Sequence, residues 1–358
     1  MPAENNDRKK ISASLLRWFR KNQRDLPWRK TKDPYLIWVS EIMLQQTQVK
    51  TVIPYFQRWA KSFPSVNALA RASEAQVLKL WEGMGYYSRA RNLQKAAKIV
   101  NEEYGGKVPN TFESISKLPG IGRYTTGAIL SIAYDQAVPV LDGNVKRVLA
   151  RLFCLRENGA SSASQGRLLK TAETLLPKKN AGDFNQALME LGATVCTNKN
   201  PSCHLCPVKN LCRAQIENRQ QAFPPKKAAI PAKKIEVSAA VIRRGGKVFI
   251  QQRPHNRLMG GLWEFPGGKR KKNETPDDCL RREIREELGV DIHVGKKMLA
   301  LKHNYTQFRV TLHVYQCSLP VGRIQANCCE QWKWVRPEEL SSYPFPAANA
   351  KIVRYLID

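Results

Sequence analysis

Glu41 lies in a stretch, Tyr35 to Ile53, that is apolar on nearly all sides, within a turn of Ile37, Trp38 and Leu44. A carboxylate there is costly unless it is paired or neutral, and loss of water raises its pKa. That is the preparation a general acid needs at neutral pH; the plainer alternative is a buried glutamate in a structural ion pair. Asp142 ends a second chemical stretch. Leu118-Pro119-Gly120-Ile121-Gly122-Arg123-Tyr124 reads as a tight turn with a helix opening at Arg123, and Pro139-Val140-Leu141-Asp142-Gly143-Asn144 follows after a short apolar helix. Gly122 lets backbone N–H groups approach an anion closely, in front of the positive end of a helix dipole. The stretch therefore suits a nucleic-acid phosphate with a reactive acid nearby, or else an ordinary helix–turn–helix corner. Asp142 is also placed to cap the helix Gly143 to Phe153, and the donors of a cap are expected to hold its carboxylate ionised.

Cys196, Cys203, Cys206 and Cys212 are spaced C-x6-C-x2-C-x5-C. Four thiolates so close together, among Pro201 and Pro207, can close around one metal centre; zinc and a [4Fe–4S] cluster both accept four cysteines. Further on, Gly268-x5-Glu274-x7-Arg282-Glu283-Ile284-x-Glu286-Glu287-x-Gly289 sets Glu283, Glu286 and Glu287 at i, i+3 and i+4. Three carboxylates on one helix face either bind a hard cation such as Mg²⁺ or pair with nearby basic residues. Two weaker signals concern DNA. Gln45-Gln46-Thr47-Gln48 could present amides to base edges, and Gly83-Met84-Gly85-Tyr86-Tyr87-Ser88-Arg89 could wedge into a stacked duplex.

The elements that must carry these groups fall into two classes. Residues 11 to about 212 read as helical, without strand-like alternation. Asp33-Pro34 marks a helix start, as N-cap followed by proline, and the helix it opens should run from Tyr35 to Ile53. Residues 213 to 235, with Phe223-Pro224-Pro225-Lys226-Lys227 and Pro231, read as an extended, solvated linker. After it come strands at Val237 to Ile242, Val248 to Ile250, Leu299 to Lys302, Phe308 to Cys317 and Gln331 to Val335, with a helix opened by Thr275-Pro276 and stopped by Gly289. The expected organisation is a helical domain over 1–212, including a cysteine loop at 196–212, then the linker and an α+β domain over 236–358.

The chain has 358 residues, 42% hydrophobic and 25% charged, which describes a multidomain globular protein. Its 59 Lys and Arg against 30 Asp and Glu leave a net charge of +29, and so predict a polyanionic partner. The N-terminus has no apolar leader and no run is long enough to span a bilayer. Nine cysteines, odd in number and four of them clustered, argue for a reducing compartment and a metal site rather than disulfides. A cytoplasmic, nucleoid-associated protein is expected.

With these pieces assembled, the chain resembles the adenine-specific mismatch DNA glycosylases (MutY type) of the helix-hairpin-helix superfamily, over residues 8 to 355. Leu118-Pro-Gly-Ile-Gly resembles the family's hairpin, Ser40-Glu41-Ile42-Met43-Leu44-Gln45-Gln46-Thr47 its catalytic-glutamate helix, and the cysteine spacing its cluster loop. The resemblance implies a [4Fe–4S] cluster on Cys196, Cys203, Cys206 and Cys212, and a monomer acting on duplex DNA. The implied reaction is hydrolysis of the N-glycosidic bond of adenine mispaired with 8-oxoguanine or guanine. Glu41 would protonate the base, Asp142 would stabilise the sugar cation, and Tyr124 and Asn144 would orient Asp142 and the sugar. Arg24, Leu26, Trp28 and Glu190 match the adenine pocket. Gln46 and Tyr86 match residues that enter the duplex, and Gly120 and Gly122 those that hold its backbone. Tyr124 stands where the endonuclease III-type cousins carry the lysine of their lyase chemistry, so a monofunctional glycosylase is implied. A bifunctional glycosylase/lyase, a catalytically idle DNA-binding scaffold and a nucleotide hydrolase are the competing readings.

The C-terminal part resembles the Nudix fold, which in this family recognises 8-oxoguanine. Its acidic box is complete where relatives usually carry a degraded one, so Mg²⁺ on Glu283, Glu286 and Glu287, with residual nucleotide hydrolysis, is a reading beside that of a salt-bridged scaffold helix. The family's Phe-Ser-His recognition loop aligns with His303-Asn304-Tyr305-Thr306-Gln307-Phe308. Tyr305 and Thr306 can substitute for the wedge and hydroxyl, whereas Gln307 lacks the imidazole ring.

Overall fold

The computed structural model describes residues 5–157, 159, 161–225, 233–304, 308–319, 324–325 and 328–358. Its helices are α1 (Asn5–Asn22), α2 (Pro34–Leu44), α3 (Val49–Ser62), α4 (Val66–Arg71), α5 (Glu74–Trp81), α6 (Ser88–Glu103), α7 (Phe112–Ser116), α8 (Arg123–Tyr134), α9 (Gly143–Phe153), α10 (Ser162–Leu175), α11 (Ala181–Thr194), α12 (Arg213–Ile216), α13 (Pro276–Leu288) and α14 (Ala347–Ile357). The strands are β1 (Lys233–Arg244), β2 (Lys247–Gln252), β3 (Trp263–Glu264), β4 (Gly267–Lys269), β5 (His293–Asn304), β6 (Phe308–Ser318) and β7 (Gln331–Val335). The chain divides into two compact units, one of 1–71 with 92–228 and the other of 72–91 with 229–358. No described helix is long and apolar enough to cross a membrane.

The first unit is helical. Asp33 caps α2 by accepting from Tyr35 N at 2.8 Å, with Pro34 in the first turn, as the local chemistry predicts. Tyr35 and every residue from Ile37 to Met43 are buried, so α2 is a central helix. It stops at Leu44, not at Ile53. Gln45 leaves the helical region, Gln46 turns at φ +57°, and α3 begins at Val49. The Gln45 amide donates to Thr125 Oγ1 at 3.2 Å, tying the break to α8. The core under α1, α8, α9, α10 and α11 contains Leu15, Phe19, Ile37, Val145, Leu149, Phe184 and Leu188. Fully burying each such side chain is worth about 1.5–3 kcal/mol.

The second unit is built on one sheet. β1 runs parallel to β6 and antiparallel to β4, β6 is antiparallel to β5, and β2 pairs with β3 and β7. β1 and β2 pair only beside the Gly245-Gly246 turn, at Arg243↔Val248 and Arg244↔Lys247, and then diverge. Alternation along β1 sends Ala240 and Ile242 to a core shared with Leu280, Ile284 and Leu288 of α13. Ala239 and Val241 face the opposite core, with Phe265, Phe345 and Ile352. Helix α13 carries the expected Thr275 cap and a left-handed Gly289 at its end. Residues 72–91 group by their contacts with this second unit.

Candidate active site

Helices α2 and α8 bring together two residues 83 positions apart: Tyr124 Oη donates to Glu41 Oε2 at 2.6 Å. Glu41 is only 4% exposed. Burial drives its carboxyl up to about 7; the Tyr124 hydrogen bond and the charge of Arg29 pull it down, and the charge of Asp142 pushes it up. The same burial, with Glu41 and Asp142 alongside, holds the Tyr124 phenol far above its ordinary value. Tyr124 is therefore a neutral donor, and its hydrogen bond goes to Glu41.

Asp142 is the N-cap of α9. It accepts from Val145 N at 2.6 Å, and Asn144 Nδ2 donates to its other oxygen at 3.0 Å. Burial nevertheless raises its carboxyl, outweighing the Val145 and Asn144 donors that lower it. The cap donors favour the ionised form, as expected of an N-cap, and burial works against them. Asn144 is pressed against α11 because Gly192 has no side chain; a Cβ there would lie 2.6 Å from Asn144 Cβ.

Glu190, on α11, is 1% exposed and carries two arginines. Arg24 reaches it with Nε and Nη2, both at 2.8 Å, and Arg29 with Nη2 at 2.8 Å. Burial alone would raise this carboxyl, but the hydrogen bonds from Arg24 and Arg29 prevail and hold it at about 2. Leu26 and Trp28 are buried beside the same loop, Trp28 edge-on to Phe56 at 5.5 Å. Sequence reasoning passed over Arg29, although it ends the Arg24–Arg29 run. Its two partners, Glu190 by contact and Glu41 by charge, lie too far away in sequence to be seen.

The four cysteines line one small cavity with Arg151. Burial pushes the thiols of Cys206 and Cys212 up to about 12 and about 11, and raises that of Cys203. Four thiolates in one half-buried place would need a compensating cation, so the donor set fits a metal centre. Among the described residues no three His, Cys, Asp or Glu converge as they would on a single ion. Arg151, 2% exposed, donates to Cys196 Sγ at 3.4 Å and to Thr197 O at 2.6 Å. Arg147 donates to Cys196 O at 2.8 Å and to Asn144 Oδ1 at 2.8 Å. Through Asn144 a continuous line of hydrogen bonds joins the cysteine loop to Asp142. Neither arginine was singled out by sequence, because both sit on an ordinary amphipathic helix.

Gly120 adopts φ +76°, and a Cβ there would meet Asn92 Cβ at 2.7 Å, so the hairpin needs glycine at that position. Gly122 is different. Its φ is −98° and nothing lies within 4 Å of an added Cβ. Gln46 is exposed in its turn, and Tyr86 is 44% exposed at φ +49° in the second unit. Tyr305, Thr306 and Gln307 lie outside the described residues. The Nudix-type acids are already engaged. Arg282 bonds Glu283 at 2.9 Å and Glu286 at 3.2 Å, while Glu287 turns inward to Gln251 Nε2 at 2.9 Å and Gly267 N at 3.2 Å. Burial and the nearby Glu264 charge push Glu287 up to about 7.

Two family models match. Residues 39–175 match the HhH-GPD superfamily of base excision DNA repair proteins, and residues 238–355 match the NUDIX domain. The adenine DNA glycosylase of Rattus norvegicus is 36% identical over 95% of this chain and 77% of its own length. That of Homo sapiens is 35% identical over 96% and 73%. That of Buchnera aphidicola (subsp. Acyrthosiphon pisum) is 36% identical over 87% of each chain. Among solved structures, a thermostable thymine-DNA glycosylase matches 60% of this chain and 98% of its own at 30% identity and a TM-score of 0.55. An endonuclease III–DNA complex matches 60% and 98% at 22% identity and a TM-score of 0.52, a likeness of fold. The molecule is thus a helix-hairpin-helix glycosylase region followed by a Nudix-like, sheet-containing region. By its sequence relatives, the chain belongs to the adenine DNA glycosylase family.

Proposed function

We propose that this DNA repair glycosylase removes adenine from duplex DNA in which it is mispaired with 8-oxoguanine or guanine. The observation that carries the reading is the pair of carboxylates, one buried and held near 7, the other capping a helix beside it. The adenine leaves the stack at a cost of a few kcal/mol, which a mispair lowers. Tyr124 occupies Glu41 Oε2, so Oε1 is the oxygen left to carry the proton. Glu41 gives that proton to adenine N7, the C1′–N9 bond breaks, and the base departs with the bonding pair as a neutral molecule. Asp142 faces the sugar cation that remains; water then adds to C1′, and the proton it loses restores the carboxyl of Glu41. Two carboxylates whose environments separate their roles are the logic of glycosidases at large.

Tyr124 supports a monofunctional enzyme, since a phenol held this far from ionisation offers no amine for a Schiff base. Arg24, Leu26, Trp28, Arg29 and Glu190 are assigned to the adenine pocket, with Glu190 anionic across the working range. Gly120 shapes the hairpin and Gly122 leaves its backbone open to a phosphate. Gln46 and Tyr86 are assigned to the duplex. Cys196, Cys203, Cys206 and Cys212 would hold a [4Fe–4S] cluster, which secures the loop beside Arg147 and Arg151. The second unit is assigned to 8-oxoguanine recognition. The engagement of Glu283 and Glu286 with Arg282 supports a structural role for α13.

Single-turnover adenine release tests the whole reading, with A opposite 8-oxoguanine, guanine and thymine as substrates. Release is expected from the two mispairs without strand nicking, and Glu41→Gln should lower it by about 10²–10⁴. Full activity in Glu41→Gln, or nicking that keeps pace with adenine release, would sink it.

A further inference from the structure

Residues 74–91 are fastened to the rest of the second unit at both ends and in the middle. At the start, Glu74 meets His255 Nε2 at 3.1 Å; at the end, Arg91 donates to Gly260 O. In the middle, two bonds converge on one residue. Phe345 N donates to Glu82 Oε1 at 2.9 Å, and Tyr87 Oη donates to Phe345 O at 3.2 Å. Lys79 completes the clasp, with Nζ 2.6 Å from Glu82 Oε2 and 3.1 Å from Tyr343 O. Phe345 itself lies in the core, 1% exposed and stacked on Phe265 at 5.6 Å. Holding both the N–H and the C=O of a core residue fixes the attached segment in two directions.

The segment delivers a tip, Gly83 to Tyr86. Tyr87 Oη also accepts from Gly83 N at 3.1 Å, so the clasp and the tip share one hydroxyl. Trp81 Nε1 and Arg89 close on Gly85 O at 3.0 and 3.2 Å. The tip ends in Tyr86, exposed and in the left-handed region at φ +49°, a conformation that costs about 1 kcal/mol or more in a residue with a side chain. The Arg89 guanidinium lies 5.5 Å from the centroid of the Tyr86 ring.

We propose that Glu82 and Tyr87 are positioning residues that set the bearing of Tyr86 from the second unit, so that the body assigned to 8-oxoguanine recognition also aims the ring that enters the duplex. This rests on the assignment of Tyr86 to the duplex made above. The test uses the full chain with Glu82→Ala, Glu82→Gln, Tyr87→Phe and Tyr86→Ala. Three quantities are read: thermal midpoint, single-turnover adenine release opposite 8-oxoguanine, and the fluorescence of 2-aminopurine placed next to the 8-oxoguanine. Glu82→Ala and Tyr87→Phe should each slow release about tenfold, the scale of one lost hydrogen bond, and blunt the fluorescence rise. Glu82→Gln keeps an oxygen for Phe345 N–H and should recover most of both. In a Tyr86→Ala background neither substitution should cost anything more, since the ring they aim is gone. Additive losses in that background, or wild-type release and fluorescence from both variants, overturn the proposal. A silent Tyr86→Ala removes the duplex assignment and the proposal with it. An impaired Tyr86→Ala beside silent Glu82→Ala and Tyr87→Phe removes the proposal alone.

Discussion

On the proposed mechanism Glu41 has to be neutral at rest and still acidic enough to give its proton to a base, and burial opposed by the Tyr124 hydrogen bond and the Arg29 charge sets its carboxyl near 7. Above that pH the carboxyl has no proton to give. The single-turnover rate should therefore fall by about tenfold per pH unit on the alkaline side, from a limb centred near 7. The Tyr124 bond favours the ionised form, so Tyr124→Phe should move that limb to higher pH; movement to lower pH would show that the phenol does not donate to Glu41. The same group affects stability. Its folded pKa is raised from 4.5 to about 7, so the fold keeps a proton that the unfolded chain has released. That contribution is complete below about 4.5 and is lost as pH rises through about 7, up to about 3 kcal/mol. Glu41→Gln should accordingly raise the thermal midpoint more at pH 8 than at pH 5.

Helices and turns were legible where one short stretch carries its own chemistry. Asp33-Pro34, Thr275-Pro276 and Gly289 sit at the ends they mark. The break after Leu44 was not legible, because Gln45 and Gln46 carry no glycine or proline and the turn leans on Thr125, eighty residues away. The parallel pairing of β1 with β6 and the transfer of residues 72–91 to the second unit were hidden for the same reason. So were the partners of Glu190 and the Arg147 link to Asp142, since periodicity sees neighbours only along the chain. The hairpin glycines separate shape from function at the scale of an element. Gly120→Ala puts a Cβ into a left-handed position and against Asn92, and should lower stability by about 1–3 kcal/mol. Gly122→Ala meets no neighbour at an ordinary φ, so the melting temperature should hardly move while DNA affinity falls. Equal melting losses in the two variants would mean that Gly122 is a structural glycine after all.

For the molecule as a whole, charge and geometry divide the work of recognition. An excess of 29 positive charges favours any duplex through counterion release, and this term is blind to sequence. On the proposed function, what distinguishes a mispair is local: the cost of unstacking, the residues around Glu190 and the ring of Tyr86. The two parts should respond differently to salt. If six to ten phosphates are neutralised, affinity for matched and mispaired duplexes alike falls by about 10³–10⁵ between 50 and 200 mM salt. The ratio of the two affinities should change much less, because the released counterions are common to both. Titrating labelled matched and A:8-oxoguanine duplexes across that range measures both slopes. Parallel slopes are expected; a mispair preference that vanishes as salt rises would place discrimination in the charge field rather than in the pocket and the tip.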